Sequence, residues 1–336
     1  MLTSLVALAA AAAVTFLLTP PARRLAERLQ VLDRPDRQRK RHRRLTPLWG
    51  GAAVAAGLAL GVTVATVWTP VGRALAAYRQ AWLGRGLWWL LAAAVVMTLA
   101  GLWDDRRPLP PKVKLLAQLL STALVLAAGF HLQTCWVWPF GIMAIWPWLG
   151  FLLAWFWLLV VTNAFNFIDG LDGLASSQAF LGGIWLCLGA WRLATRATDL
   201  AAVYQYVLAG VLAAAVAGAA LGFWRFNRHP AKIFLGEAGS ALLGLGLGIA
   251  ALLLLRPGLS PAAPWFVALA LAWPLADATQ VTIRRWRRGL PVSKADNRHG
   301  HHYLLAQDFS PGAAVALIFT FSLLLGLAGL LIIWWA

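Results

Sequence analysis

The sequence is poor in charge. Only 12% of its 336 residues are Asp, Glu, Lys or Arg, about half the share a soluble domain carries, which excludes a free-standing globular domain. Cysteine is nearly absent: Cys135 and Cys187 form neither a disulfide framework nor a CxxC metal site. Acids are scarcer than bases, 12 against 29, and only Glu27 and Glu237 are glutamates. No HExxH is present, so the commonest helical zinc signature is missing. No basic stretch precedes the first apolar run, residues 2–19, and the charges follow it instead (Arg23, Arg24, Arg28). That order argues against a cleaved signal and predicts an uncleaved first helix with its N-terminus outside.

Apolar runs fill the rest. Hydrophobic residues make up 61% and the mean hydropathy is +0.71. The runs have the length that crosses about 30 Å of hydrocarbon. The predicted fold class is an all-α polytopic membrane protein with ten spans: 2–19, 48–69, 87–103, 115–131, 147–164, 174–192, 202–222, 239–255, 263–283 and 312–335. Trp pairs such as Trp88-Trp89 and Trp334-Trp335 fit interfacial anchoring. Residues 131–148, rich in β-branched and aromatic side chains around Pro139-Phe140-Gly141, read either as a short β-hairpin on the extracytoplasmic side or as an irregular Trp-rich loop.

With ten spans, alternate loops share a side. Of the 29 Lys and Arg, 23 fall after spans one, three, five, seven and nine, and the positive-inside rule makes that side cytoplasmic, with both termini extracytoplasmic. The net charge of +17 thus reflects orientation, contact with membrane lipid and anionic substrates, and no nucleic-acid partner is expected. Every acid except Asp199 lies on or next to the same side. Acids hardly influence topology, so their gathering at a membrane edge beside many cations calls for another cause. A metal with phosphates is the economical one. The expectation is one transmembrane catalytic domain over 1–336, with a site assembled from loops 20–47, 104–114, 163–173, 223–239 and 284–311.

Four motifs carry the chemistry. Asp104-Asp105 ends span three, followed by Lys112, Lys114 and Gln118. Adjacent carboxylates repel, so keeping both ionised needs a cation or basic partners. Asn163-Ala164-Phe165-Asn166-Phe167-Ile168-Asp169-Gly170-Leu171-Asp172-Gly173 places two Asp at i and i+3, on one face of any helical turn, with glycines that permit close backbone approach. The third, Asn227 to Ser240, holds Phe234, which suits stacking on a flat base or anchoring in the membrane, and Glu237 between Gly236 and Gly239. The fourth is Asp296-Asn297-Arg298-His299-Gly300-His301-His302, where imidazoles and a guanidinium suit a diphosphate. Zinc competes for the histidines, but the oxygen-rich acids favour Mg²⁺. His131 and His229 are weaker candidates. The first loop adds Asp33-Arg34-Pro35, Arg39-Lys40-Arg41-His42 and Pro47-Leu48-Trp49-Gly50-Gly51.

Together these motifs resemble the polyprenyl-phosphate N-acetylhexosamine-1-phosphate transferase family, from about Asp33 to His302 and in the family's order. The resemblance implies transfer of a HexNAc-1-phosphate, GlcNAc-1-phosphate above all, from a UDP-sugar to undecaprenyl phosphate, with UMP released. It places the chain in a bacterial cytoplasmic membrane, at the first membrane step of a cell-surface glycopolymer. It implies Mg²⁺, with Mn²⁺ as a substitute, held by Asp104, Asp105, Asp169 and Glu237. The catalytic set is Asp104, Asp105, Asp169, His299, His301 and His302. Substrate binding falls to Lys114, Asn163, Asn166, Asp172, Phe234, Asp296, Arg298, Lys40 and His42. The His-Gly-His-His pattern is closer to the GlcNAc-1-phosphate branch than to the peptidoglycan phospho-MurNAc-pentapeptide translocase. A homodimer stays open.

Two departures stand out: Glu237 occupies a position that is normally Asp, and three residues rather than two separate Pro35 from Arg39. The rival readings are another HexNAc or phospho-MurNAc-pentapeptide as the transferred group, a transporter with acids on an ion path, and a catalytically silent relative.

Overall fold

A computed structural model of the chain describes residues 1–33, 45–78, 80–132, 134–137, 141–255, 260–290 and 299–335. The candidate residues Lys40, His42, Asp296 and Arg298 lie outside them.

Without water in hydrocarbon, backbone groups must pair within their own segment, and the chain is accordingly almost all helix. Among the described residues, eight helices are long and apolar enough to span: α1 (Leu2–Arg28), α2 (Gly50–Trp68), α4 (Gln80–Arg106, apolar from Trp88), α6 (Pro147–Ile168), α7 (Leu174–Arg196), α8 (Leu200–Asn227), α9 (Gly236–Leu254) and α13 (Pro311–Trp335). The remaining two predicted spans take other forms. The fourth is α5 (Pro111–Ala127), of 17 residues. The ninth is broken into α10 (Ala263–Ala270) and α11 (Ala272–Arg287), which meet at 78°. Short α3 (Pro70–Tyr78) joins α2 to α4, and α12 (Gly300–Ala306) precedes α13.

Several predicted boundaries move outward. Helix α1 runs through Pro20 and Pro21 to Arg28, and Asp104 and Asp105 belong to the last turn of α4. Polar side chains at a span's end point past the apolar zone while their backbone stays in the helical ladder.

The hairpin alternative is the one found: β3 (Thr134–Val137) pairs antiparallel with β4 (Gly141–Ala144), Thr134 opposite Ala144. A second pair joins β1 (Leu32–Asp33) to β2 (Thr46–Pro47), which the sequence reading did not anticipate.

Burial sorts the helices. Of the apolar windows, 89% of α9, 78% of α8 and 72% of α7 are buried, against 28% of α1 and α13 and 17% of α4. The first three form the centre, and the others turn Leu17, Leu99 and Leu324 outward, where lipid tails accept them. Small residues allow the centre to close, as expected where packing rather than hydrophobicity drives helix association in lipid. A Cβ on Gly218 or Gly222 of α8 would strike α1 backbone at Leu8 or Ala12, and one on Gly183 of α7 would strike Ala213. The ends of α4, α6, α8 and α11 and the starts of α2, α5, α7 and α9 meet at one end of this bundle, where the described residues of all four motifs lie.

Candidate active site

The first loop is fastened to this end before any chemistry begins. Gly50 and Gly51 donate their N–H groups to the carbonyls of Phe234 (3.1 Å) and Leu235 (2.8 Å), and Phe234 N–H donates to Pro47 (2.8 Å). Trp49, at φ 74°, donates its indole N–H to the Leu102 carbonyl at 3.0 Å, in the last turns of α4. Left-handed backbone is unfavourable for a bulky residue, and these four bonds hold it there.

The acidic cluster follows directly. Asp104 accepts Leu109 N–H through Oδ1 (2.7 Å) and binds Lys114 Nζ through Oδ2 (2.8 Å). Lys114 also reaches Glu237 Oε2 at 3.3 Å. One ammonium thus ties α4, α5 and α9. Asp105 Oδ1 accepts Glu237 N–H at 2.9 Å. Gly236 before it has φ +75°, and a Cβ there would collide with the Asp105 carboxylate, so glycine is required on both counts. A cavity of about 20 Å³ lies beside Asp104, Lys114, Gln118 and Glu237, room for about one water.

Asp169 lies just past α6, in the turns that lead to α7. Burial first, then the charges of Asp105, Glu237 and Asp172, holds its carboxyl well above the usual carboxylate range. Asp172 has a different partner: its Oδ2 accepts from Ala231 N–H (3.0 Å) and meets His229 Nδ1 (2.8 Å). Segment 169–173 is a run of turns rather than a helix, so the two acids diverge, one toward the cluster and one toward the loop after α8. Of the two asparagines, Asn163 donates to Gln118 Oε1 at 2.8 Å and Asn166 to Ser240 Oγ at 3.2 Å, bracing α6 against α5 and α9. Phe234 is half-buried, its backbone engaged with the first loop.

The three histidines pack together. His299 and His301 rings stack at 5.6 Å, and His301 and His302 centroids are 4.2 Å apart. His301 is fully buried, and neither ring nitrogen has a hydrogen-bond partner. Burial first, then His302 and His299, pushes its imidazole down to about 3. A Cβ on Gly170 would touch His301 Nε2 at 3.0 Å, so the histidine cluster abuts the turn carrying Asp169.

Three participants were missed as site residues. Asp277 in α11 accepts from His299 Nδ1 (2.7 Å) and Gly300 N–H (2.6 Å). Its signal was available, since an acid within an apolar span is a functional hypothesis by default. Buried Asn227 accepts from Gly173 N–H and Ser176 Oγ, both at 3.1 Å, and donates to Ile233 O. Gln118 receives Asn163. Both amides stood inside quoted motifs, but spacing alone did not reveal their partners.

The donor set fits a hard cation. Asp104, Asp105, Asp169 and Glu237 offer only oxygen, the preference of Mg²⁺. Asp105 Oδ2 is buried without a hydrogen-bond partner, and a cation would relieve the crowding of like charges around Asp169. Among the described residues, no three His, Cys, Asp or Glu side chains converge tightly enough to hold an ion; between Asp104 and Glu237 the charge-balancing group is the Lys114 ammonium.

Comparison with known proteins points the same way. Residues 87–255 match glycosyl transferase family 4. A probable undecaprenyl-phosphate N-acetylglucosaminyl 1-phosphate transferase of Bacillus subtilis (strain 168) is 29% identical over 94% of this chain and 81% of its own length. Decaprenyl-phosphate N-acetylglucosaminephosphotransferase of Mycobacterium tuberculosis (strain ATCC 25618 / H37Rv) is 30% identical over 92% of this chain and 77% of its own. Undecaprenyl-phosphate alpha-N-acetylglucosaminyl 1-phosphate transferase of Escherichia coli (strain K12) is 28% identical over 92% and 78%. The matched stretch contains the acidic pair, the Asn163–Gly173 turns and Glu237, and on these grounds the chain belongs to glycosyl transferase family 4.

Proposed function

We propose that this multi-pass membrane enzyme transfers GlcNAc-1-phosphate from UDP-GlcNAc to a polyprenyl phosphate, undecaprenyl phosphate in the first instance, and releases UMP. The carrying observation is the junction of Asp104, Asp105, Glu237 and Lys114, with Asp169 beside it, at one end of an apolar bundle. The names of the relatives supply the substrates.

Phosphoryl transfer asks the protein chiefly for positioning and charge neutralisation. An oxygen of the lipid phosphate attacks the sugar-bearing phosphorus, the bond from that phosphorus to the UMP oxygen breaks, and UMP leaves with the electron pair. Lys114, at the start of α5, supports the reading by offering a cation to an incoming phosphate. Asn163 and Asn166, braced by Gln118 and Ser240, keep the end of α6 rigid beneath the diphosphate. Asp104, Asp105, Asp169 and Glu237 are the residues that would hold Mg²⁺, which would supply neutralisation of the diphosphate oxygens. The histidines supply hydrogen bonds to the donor, with Phe234 beside the base. The active site faces the cytoplasm of a bacterial cell and both termini lie outside, a reading supported by the 23 basic residues among 29.

The test is a detergent-purified preparation given UDP-GlcNAc and undecaprenyl phosphate, with UMP release followed. UMP release that requires both substrates, and stops with EDTA until Mg²⁺ or Mn²⁺ is restored, is expected. No release with any UDP-HexNAc sinks the reading, and full activity in EDTA sinks the metal.

A further inference from the structure

Asp277 and His299 come from different elements. Asp277 lies in α11, beyond the sharp break that ends α10, and His299 sits at the start of α12, 22 positions later. Both are buried, with 4% and 8% exposure, unusual for a charged group unless it is paired. The carboxylate is fully engaged: Oδ2 to His299 Nδ1 at 2.7 Å, Oδ1 to Gly300 N–H at 2.6 Å. Gly300 packs closely here: a Cβ would lie 3.0 Å from the Trp273 ring and 3.3 Å from Asp277 Oδ1, so a larger residue would require one of them to shift.

An ionised carboxylate can only accept hydrogen bonds. The proton between Asp277 and His299 therefore rests on Nδ1, and Nε2 is left for whatever His299 faces. The Gly300 bond fixes the backbone beside the ring, so one carboxylate sets both tautomer and direction. The same logic governs histidines of metal sites and catalytic triads, whose second nitrogen is oriented by a carboxylate. The imidazole is further confined by the edge of Phe167 at 5.9 Å and the stacked His301.

We infer that Asp277 is a positioning residue of the transfer reaction: it holds His299 in the Nδ1–H form, its Nε2 presented to the UDP-sugar. The inference rests on the transfer reaction proposed above. Asp277 does not touch substrate and acts only through His299.

Two readouts test it, and the first needs no activity. Proton–nitrogen correlation spectra of isotope-labelled histidine, with His299 assigned by its loss in His299→Asn, should show its proton on Nδ1. A proton on Nε2 alone overturns the inference, even if the enzyme transfers GlcNAc-1-phosphate. The second is kinetic. Asp277→Asn can still accept from Gly300 but no longer demands a donor from His299, and kcat should fall on the order of tenfold or more. KM for UDP-GlcNAc should change by less than about threefold, the mark of an interaction made in the transition state. Asp277→Glu, which restores the carboxylate, should recover part of kcat. In the His299→Asn background, Asp277→Asn should cost nothing further, because residues acting as one unit are non-additive. A full additional loss in that background assigns Asp277 a merely structural role and overturns the inference. If Asp277→Asn does not fold, the wild-type tautomer still decides.

Discussion

At the scale of the residue, Glu237 is the position that the resemblance sets apart, and it joins two elements of the cluster. Glu237 reaches Lys114 with its side chain and Asp105 with its N–H. Glu237→Gln keeps the shape and removes the charge, and UMP release should fall by about 100-fold. Glu237→Asp separates adaptation from impairment: lower turnover means the site fits Glu, and higher turnover with tighter Mg²⁺ means Glu is a handicap. A Gln variant of unchanged activity removes Glu237 from the ligand set. His301 carries a pH prediction. Its folded value of about 3 lies below the free value of 6.5, so the unfolded chain binds the proton that the folded chain refuses. Stability is therefore intact above about pH 6.5 and lost as pH falls toward 3, by about 1.4 kcal/mol per unit. Between pH 7 and 5 the wild type should lose roughly 2 kcal/mol more than His301→Gln, read from thermal unfolding in detergent. Equal losses would mean that His301 is solvated. The residue types at this site were legible because charge is so rare in the chain that each acid stands out. Their partners were not: Asp172 meets His229 and Asp277 meets His299 across elements, and no local spacing encodes such a pairing.

At the scale of the element, the site depends on how closely α4, α9 and the first loop approach. A Cβ on Gly101 would collide with the backbone of Ala238, and one on Gly51 with Gly239 N and Ala238. Gly101 lies one turn before Asp104. Gly101→Ala should therefore force α4 away from α9 and take Asp104 and Asp105 out of reach of Lys114 and Glu237. Overpacking of this kind costs about 1–3 kcal/mol, and activity should fall further than that figure alone implies, because the carboxylates move. Gly312→Ala, with open space at its Cβ, is the control and should change neither unfolding nor turnover. Equal behaviour of the two variants would show that α4 is not held by this contact. The helices themselves were legible as apolar runs between charges. The break of α10 against α11 was not read, although Pro274 marks it: it has no N–H for the Ala270 carbonyl and its ring crowds that carbonyl, and α10 ends at Ala270. The 17 residues of α5 were legible only as a run of about that length, its start set by Pro110-Pro111.

At the scale of the molecule, the site occupies one end of the bundle, and the distribution of charge predicts which compartment that end faces. The argument is independent of chemistry. Basic residues near span ends orient membrane proteins, whereas acids scarcely do, and 23 of 29 bases follow odd-numbered spans. The end of α4 and the starts of α5 and α9 lie on that side together, because Lys114 bridges Asp104 and Glu237 there. The opposite end carries Arg196, at the end of α7, and Trp334 of α13, whose carbonyl accepts from Arg192 and Arg196. Single cysteines at Arg106 and at Arg196, with Cys135 and Cys187 changed to Ser, place a reporter at each end. In intact cells a membrane-impermeant maleimide should label Arg196→Cys and spare Arg106→Cys, which should react only after the membrane is opened. The reverse pattern would put the carboxylates outside, where no UDP-sugar is made, and the proposed transfer would fail with the topology. Labelling of both in intact cells would mean that a span between them has been miscounted, and α5, of 17 residues, is the segment where parity can slip. A third reporter at Lys232, between α8 and α9 and so past α5 but before the bend, tests that segment: protection of Lys232→Cys together with Arg106→Cys keeps α5 as a full crossing, whereas opposite behaviour makes it a re-entrant segment.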